Sequence, residues 1–219
     1  MMRKTPLPKD WAWPIAFFSV LSRKSETKNI EIMSTPILSK LVHGIKGGVS
    51  ASLQGAADVG SSIANAVKDV SVKTLKGVGE LAVKGIQIPA SIVAGAIEGI
   101  SGIGTTLVRS IKGIVEGTIQ GAVNAGVSQE DAVKGSVRQA IMSAKDLGVD
   151  TASIAVEAIK GAVNGVKQVG GDTAGATKHA IVAALEAAKD IGEESVTSVR
   201  LALHESVDGA KDILDEIKK

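Results

Sequence analysis

The stretch GVSQEDAVKGSVRQAIMSAKDLGVDTASIAVEAIKGAVNGVKQVGGD, residues 126–172, decides the fold. It states one pattern repeatedly. Gly126 is followed two residues later by Ser128, Gly148 by Asp150 and Gly170 by Asp172, and these pairs stand 22 residues apart. Glycine takes up the left-handed backbone that follows a helix C-terminus. Ser or Asp accepts the free N–H groups at the next helix start. Between the last two pairs, apolar residues recur every three or four positions: Ala152, Ala155, Ile159, Val163, Val166 and Val169. Ser153, Glu157, Lys160, Asn164 and Lys167 take the opposite face. That is the spacing of an amphipathic helix, and the alternation expected of a half-buried strand is absent.

Working outward, the same unit tiles the chain eight times from Leu41 to Glu216 without an insertion, starting at Leu41, Ile63, Gly85, Leu107, Gln129, Thr151, Thr173 and Ser195. The thirteenth position is always aliphatic, from Leu53 to Val207, and the fifteenth is always small. A fixed period of this length marks a repeat architecture, in which one unit cannot bury its apolar face alone. Each unit is expected to form a helix of about 18 residues followed by a short turn. The turns are expected at Gly60, Gly104, Gly126, Gly148, Gly170 and Gly192. Short connections place successive helices antiparallel. The expected fold class is therefore all-α: an array of about eight antiparallel amphipathic helices, one per unit, as a bundle or a short solenoid. A period of twice eleven also suits one continuous, slightly supercoiled helix. That alternative strands a glycine at nearly every unit boundary, at about 1 kcal/mol each relative to alanine. The pairing of glycine with a capping residue therefore favours turns.

Composition removes whole classes of chemistry. The 219 residues contain no cysteine, so there is no disulfide, no thiolate ligand and no thiol nucleophile. The only aromatic residues, Trp11, Trp13, Phe17 and Phe18, precede the repeats. Residues 1–33 read as a disordered leader, or as sequence upstream of a start at Met33. Residues 34–127 read as apolar, Gly-rich helical repeats, and 128–219 as more charged repeats continuous with them. Lys and Arg outnumber Asp and Glu 8 to 5 over residues 34–125 and are outnumbered 11 to 15 over 126–219. Neither balance makes the basic stripe that nucleic-acid binding needs. His43, His179 and His204 fall in different units without a Ser, Cys or carboxylate partner at a recognisable spacing. No catalytic residue, metal site or cofactor is expected. The glycines form no phosphate loop: GISGIG at 99–104 lacks the dinucleotide spacing and follows no strand.

Lysine recurs with the unit. Its sixth position carries Lys46, Lys68, Lys112, Lys134, Lys178 and Arg200, and its seventeenth Lys145, Lys167, Lys189 and Lys211. Basic residues flanking an apolar helical face suit a helix lying on a lipid or granule surface, and they equally suit the solvated rim of a bundle. A 22-residue amphipathic unit with regular lysines and small residues resembles the exchangeable apolipoproteins. The run Lys-Thr-Leu-Lys-Gly-Val at 73–78 is similar to the lipid-binding repeats of synuclein and to the Ala-rich helices of phasins. The resemblance implies a reversible coat on lipid or polyester surfaces.

The expected function is therefore that of a non-catalytic helical-repeat structural or interaction protein, acting as a reversible coat on membrane or storage-granule surfaces. The residues expected to carry it are the aliphatic columns Val93, Ile97, Val115, Ile119, Val137, Ile141, Ile159 and Val163, rimmed by Lys112, Lys134, Lys145 and Lys167. Expected partners are the protein itself or another protein through apolar helix faces, and a lipid or granule surface, with no nucleic acid and no small-molecule substrate. The expected location is cytoplasmic, peripheral to a membrane or inclusion. Two alternatives stand beside this: a soluble self-assembling or partner-binding scaffold, and a membrane-inserted hairpin over residues 85–127, the most apolar part of the repeats.

Overall fold

The turns repeat as closely as the sequence does. Val127 N–H donates to the Ala122 carbonyl, Val149 N–H to Ala144 and Gly171 N–H to Val166, each bond closing a helix C-terminus with the same backward reach. This is the bond that defines a Schellman turn. Gly126, Gly148 and Gly170 stand at φ +96°, +66° and +71°, where a β-carbon would be strained. Two residues on, the caps take over. Ser128 Oγ accepts from Asp131 N–H, Asp150 from Ala152 and Ser153 N–H, and Asp172 from Ala174 and Gly175 N–H. The chain thus stops one helix and starts the next within about four residues, and successive helices must run antiparallel.

The structure is a computed structural model that describes residues 36–53, 59–78, 85–100 and 107–217. The described residues form nine α-helices and no strand: α1 (Pro36–Leu53), α2 (Val59–Val78), α3 (Gln87–Ile100), α4 (Leu107–Asn124), α5 (Gln129–Asp146), α6 (Thr151–Gln168), α7 (Thr173–Ile191), α8 (Glu193–Ser206) and α9 (Ala210–Ile217). Each helix packs on the next and on the next but one. Two rows result. The odd row holds α1, α3, α5, α7 and α9; the even row holds α2, α4, α6 and α8. Between the rows lies one continuous aliphatic core that includes Ile45, Val67, Val93, Ile119, Ile141, Ile159, Ile181 and Leu203. Full burial of each such side chain contributes on the order of 2 kcal/mol. The described residues include no aromatic side chain, so the two rows can approach closely.

Within a row the helices are parallel, and glycine lets their backbones meet. A β-carbon on Gly95 would fall 2.6 Å from the Val42 carbonyl oxygen, and one on Gly99 2.9 Å from that of Lys46, which joins α3 to α1. Gly117 and Gly121 of α4 abut the Ala64 and Lys68 carbonyls of α2. Gly161 and Gly165 of α6 abut the Lys112 and Glu116 carbonyls of α4. Small residues four apart on one face permit this approach, and Cα–H···O contacts across it add weakly to the packing. The register differs along the array. Gly95 and Gly117 face carbonyls 53 residues back, whereas Gly135, Gly161 and Gly165 face carbonyls 49 residues back. The difference is one helical turn.

Some expectations are corrected. Gly60 is not in a turn: α2 starts at Val59, so Gly60 occupies its first turn, where N–H groups have no intrahelical partner and glycine costs little. Gly104 and the proposed leader lie outside the described residues. Ile88 stands before Pro89, a position at which a residue is usually pushed out of the helical region, yet it is helical and its N–H donates to the Gly85 carbonyl. The eighth unit is not one helix. It breaks between α8 and α9 over Val207-Asp208-Gly209, residues that are poor helix formers, with Gly209 at φ +73°. Helices α4 to α7 start on their unit boundaries, while α1 and α2 start several residues ahead of theirs.

Candidate functional site

The aliphatic residues expected to meet a surface are interior. Val93, Ile97, Val115, Ile119, Val137, Ile141 and Ile159 are buried in the inter-row core, and Val163 is half-buried against it. The large apolar side chains exposed among the described residues are Leu147 at 54%, Leu201 at 59% and Ile217 at 41%. They sit in the α5–α6 turn, on α8 and at the end of α9, so they form no stripe along the array. Among the described residues, no helix is long and apolar enough to cross a membrane.

The lysines do not form one rim. Because successive units alternate between rows, the sixth-position column divides. Its odd-row members, Lys46, Lys134 and Lys178, pair with Glu98, Glu130 and Glu216. Arg138 of α5 adds a pair with Asp190 of α7. The Lys134 ammonium donates to the Glu130 carboxylate and holds that carboxyl below its ordinary value; the same hydrogen bond raises the Lys134 ammonium above its own. The even-row members are Lys68 on α2, Lys112 on α4 and Arg200 on α8, and none makes an ion pair among the described residues. Lys145 and Lys167 are exposed at the ends of α5 and α6, in different rows.

Two of the unpaired even-row cations share a groove. A cleft of about 490 Å³ opens across α2, α4 and α6, and Lys68, Arg109 and Lys112 line it. Its one carboxylate, Glu116, accepts a hydrogen bond from Gln120 Nε2 at 3.3 Å. Asn65 and Gln168 supply further amide groups, and Ala64 and Gly113 supply a small-residue lining. The glycine contacts hold this groove in shape. Ala64, Lys68, Lys112 and Glu116 are the residues whose carbonyls Gly117, Gly121, Gly161 and Gly165 abut. The backbone that carries the charged side chains is therefore fixed by packing one helix away.

Reading the lysines at a period of 22 missed this division and missed Arg109 altogether. The signal was a period of 44, the spacing between units of one row: Lys68 and Lys112 recur at that distance. The histidines stay apart on α1, α7 and α8. Among the described residues, His, Asp and Glu gather into no group of three that could hold a metal ion. No protein-family model, curated protein or solved structure matches this chain.

Proposed function

We propose that this chain is a non-catalytic helical-repeat interaction protein that acts in its folded, two-row form as a self-assembling or partner-binding scaffold. The observation that carries this reading is the burial of the aliphatic columns: seven of the eight named residues lie in the core, and large apolar side chains are exposed at only three scattered positions among the described residues. A scaffold offers its two outer faces: on one the sixth-position lysines pair with glutamates, and on the other Lys68 and Lys112 do not among the described residues. Circular dichroism tests the reading. Full helicity in buffer and a cooperative melt, both unchanged by phosphatidylcholine vesicles, are expected. Helicity that develops only on vesicles would overturn it.

The coat reading is second, and the core's composition favours it. Ala, Val, Ile and Gly make shallow contacts without large anchoring side chains, so helix–helix contacts can be exchanged for helix–surface contacts at modest loss. Co-sedimentation with vesicles or polyester granules, accompanied by loss of the cooperative melt, would establish that reading in place of the scaffold.

A further inference from the structure

We propose that the groove across α2, α4 and α6 is a binding site for a phosphate-bearing anion, either a soluble phosphate ester or the headgroup of an anionic lipid. The inference goes beyond the scaffold reading and stands without it. It rests on three observations that bear on the same place.

The first is charge. Lys68, Arg109 and Lys112 face one carboxylate, Glu116, so the groove carries two net positive charges. A phosphate monoester carries about −1.5 to −2 at neutral pH. The lone carboxylate is engaged by the Gln120 amide, which directs part of its acceptor capacity away from the groove.

The second is asymmetry. The same sixth-position column supplies lysines to both faces of the array. On the odd row each is matched by a glutamate; on the even row Lys68 and Lys112 have no carboxylate partner among the described residues. If these lysines served only as a solvated rim, the two faces would be treated alike. Neutralisation of the column is withheld where the cleft lies, and otherwise at Arg200 on α8.

The third is geometry. Arg109 offers a planar fork that matches two phosphate oxygens, and Lys68 and Lys112 act as point charges beside it. The Asn65 and Gln168 amides add neutral donors for ester or sugar oxygens. The volume, about 490 Å³, exceeds a bare phosphate and leaves room for an organic group. The site is preorganised, because Gly121 and Gly161 pin the backbone of Lys68 and Lys112.

The test uses the full chain. Inorganic pyrophosphate is titrated by calorimetry, and flotation is measured with phosphatidylcholine vesicles with and without phosphatidic acid. The double variant Arg109→Gln/Lys112→Gln is compared with Lys189→Gln/Lys211→Gln, which removes the same charge from the odd row. Melting curves show that both fold. The groove variant is expected to lose at least about tenfold in affinity for whichever probe binds, and the odd-row variant to stay within about twofold of the parent. Arg109→Lys keeps the charge but loses the fork, and should fall between. Pyrophosphate binding assigns a soluble ligand; flotation that requires phosphatidic acid assigns a headgroup. Equal losses in the two double variants, or no binding of either probe, would overturn the proposal.

Discussion

The α4–α6 and α5–α7 pairs do the same job in neighbouring rows by different means. Both join parallel helices two places apart in the chain. At the eleventh and fifteenth unit positions α6 carries Gly161 and Gly165, whereas α7 carries Ala183 and Ala187, both buried. Glycine gives the closest backbone approach at a loss of helix propensity; alanine keeps the propensity and holds the backbones further apart. The α5–α7 pair also has the Arg138–Asp190 link on its outer face, while the outer face over α4 keeps its cations free. In these two pairs, close approach goes with free cations over α4 and the alanine contact goes with charge pairing, whereas at α1–α3 Gly95 and Gly99 give a close approach beside the Lys46–Glu98 pair.

The largest expected effect tests the close approach. A β-carbon on Gly161 would lie 2.5 Å from the Lys112 carbonyl oxygen, so Gly161→Val should destabilise by about 3 kcal/mol in chemical denaturation. Ala187→Gly, the reverse exchange in the other row, should cost only about 1–2 kcal/mol, from lost propensity and one buried methyl. If the two cost the same, the contrast between the pairs is wrong.

The turns are common to both rows and should not distinguish them. Gly148→Ala and Gly170→Ala, at φ +66° and +71°, should each cost about 1 kcal/mol, equal within error in thermal melts. Next comes a cap with a pH signature. The Ser153 hydroxyl and the N–H groups of Ser153 and Ala152 hold the Asp150 carboxyl below its ordinary value. Its lowered folded value means that this stabilisation is present above the ordinary aspartate range and is lost as pH falls through the folded value. Asp150→Ala should cost about 1 kcal/mol at neutral pH, and the difference from the parent should shrink on titration toward about pH 3.

The smallest effect tests the stitching. Arg138→Gln should cost less than about 1 kcal/mol, and added salt should reduce even that, because the Arg138–Asp190 pair is partly exposed. A loss as large as that of Gly161→Val would mean that surface charge, not spacing, holds the odd row together.

Turn chemistry was the legible part of this molecule. Gly126 with Ser128, Gly148 with Asp150 and Gly170 with Asp172 encode stops and starts within a few residues, so α5, α6 and α7 begin where the units do. Local chemistry also explains the misplacement of Gly60, since glycine is tolerated in the first turn of a helix as well as after the last. The division of Lys46 from Lys68 was not legible at a period of 22, because it arises only when antiparallel helices are sorted into rows. The role of Gly161 against the Lys112 carbonyl was readable as small-residue spacing but not as a partner: 49 residues separate the two, and no local pattern names the helix that fills a notch. The groove combines both kinds of hidden information, and Arg109, outside every column, could not be assigned to it beforehand.

The one-turn change of register has an evolutionary corollary. Helices α3 and α4 each carry an offset of 53 toward the helix before them in their row and of 49 toward the helix after. A block duplicated from the front of the chain and grafted behind α4 would bring its notches about 6 Å out of line with the carbonyls they must receive. The units look interchangeable as text, yet the array cannot be lengthened there by simple copying.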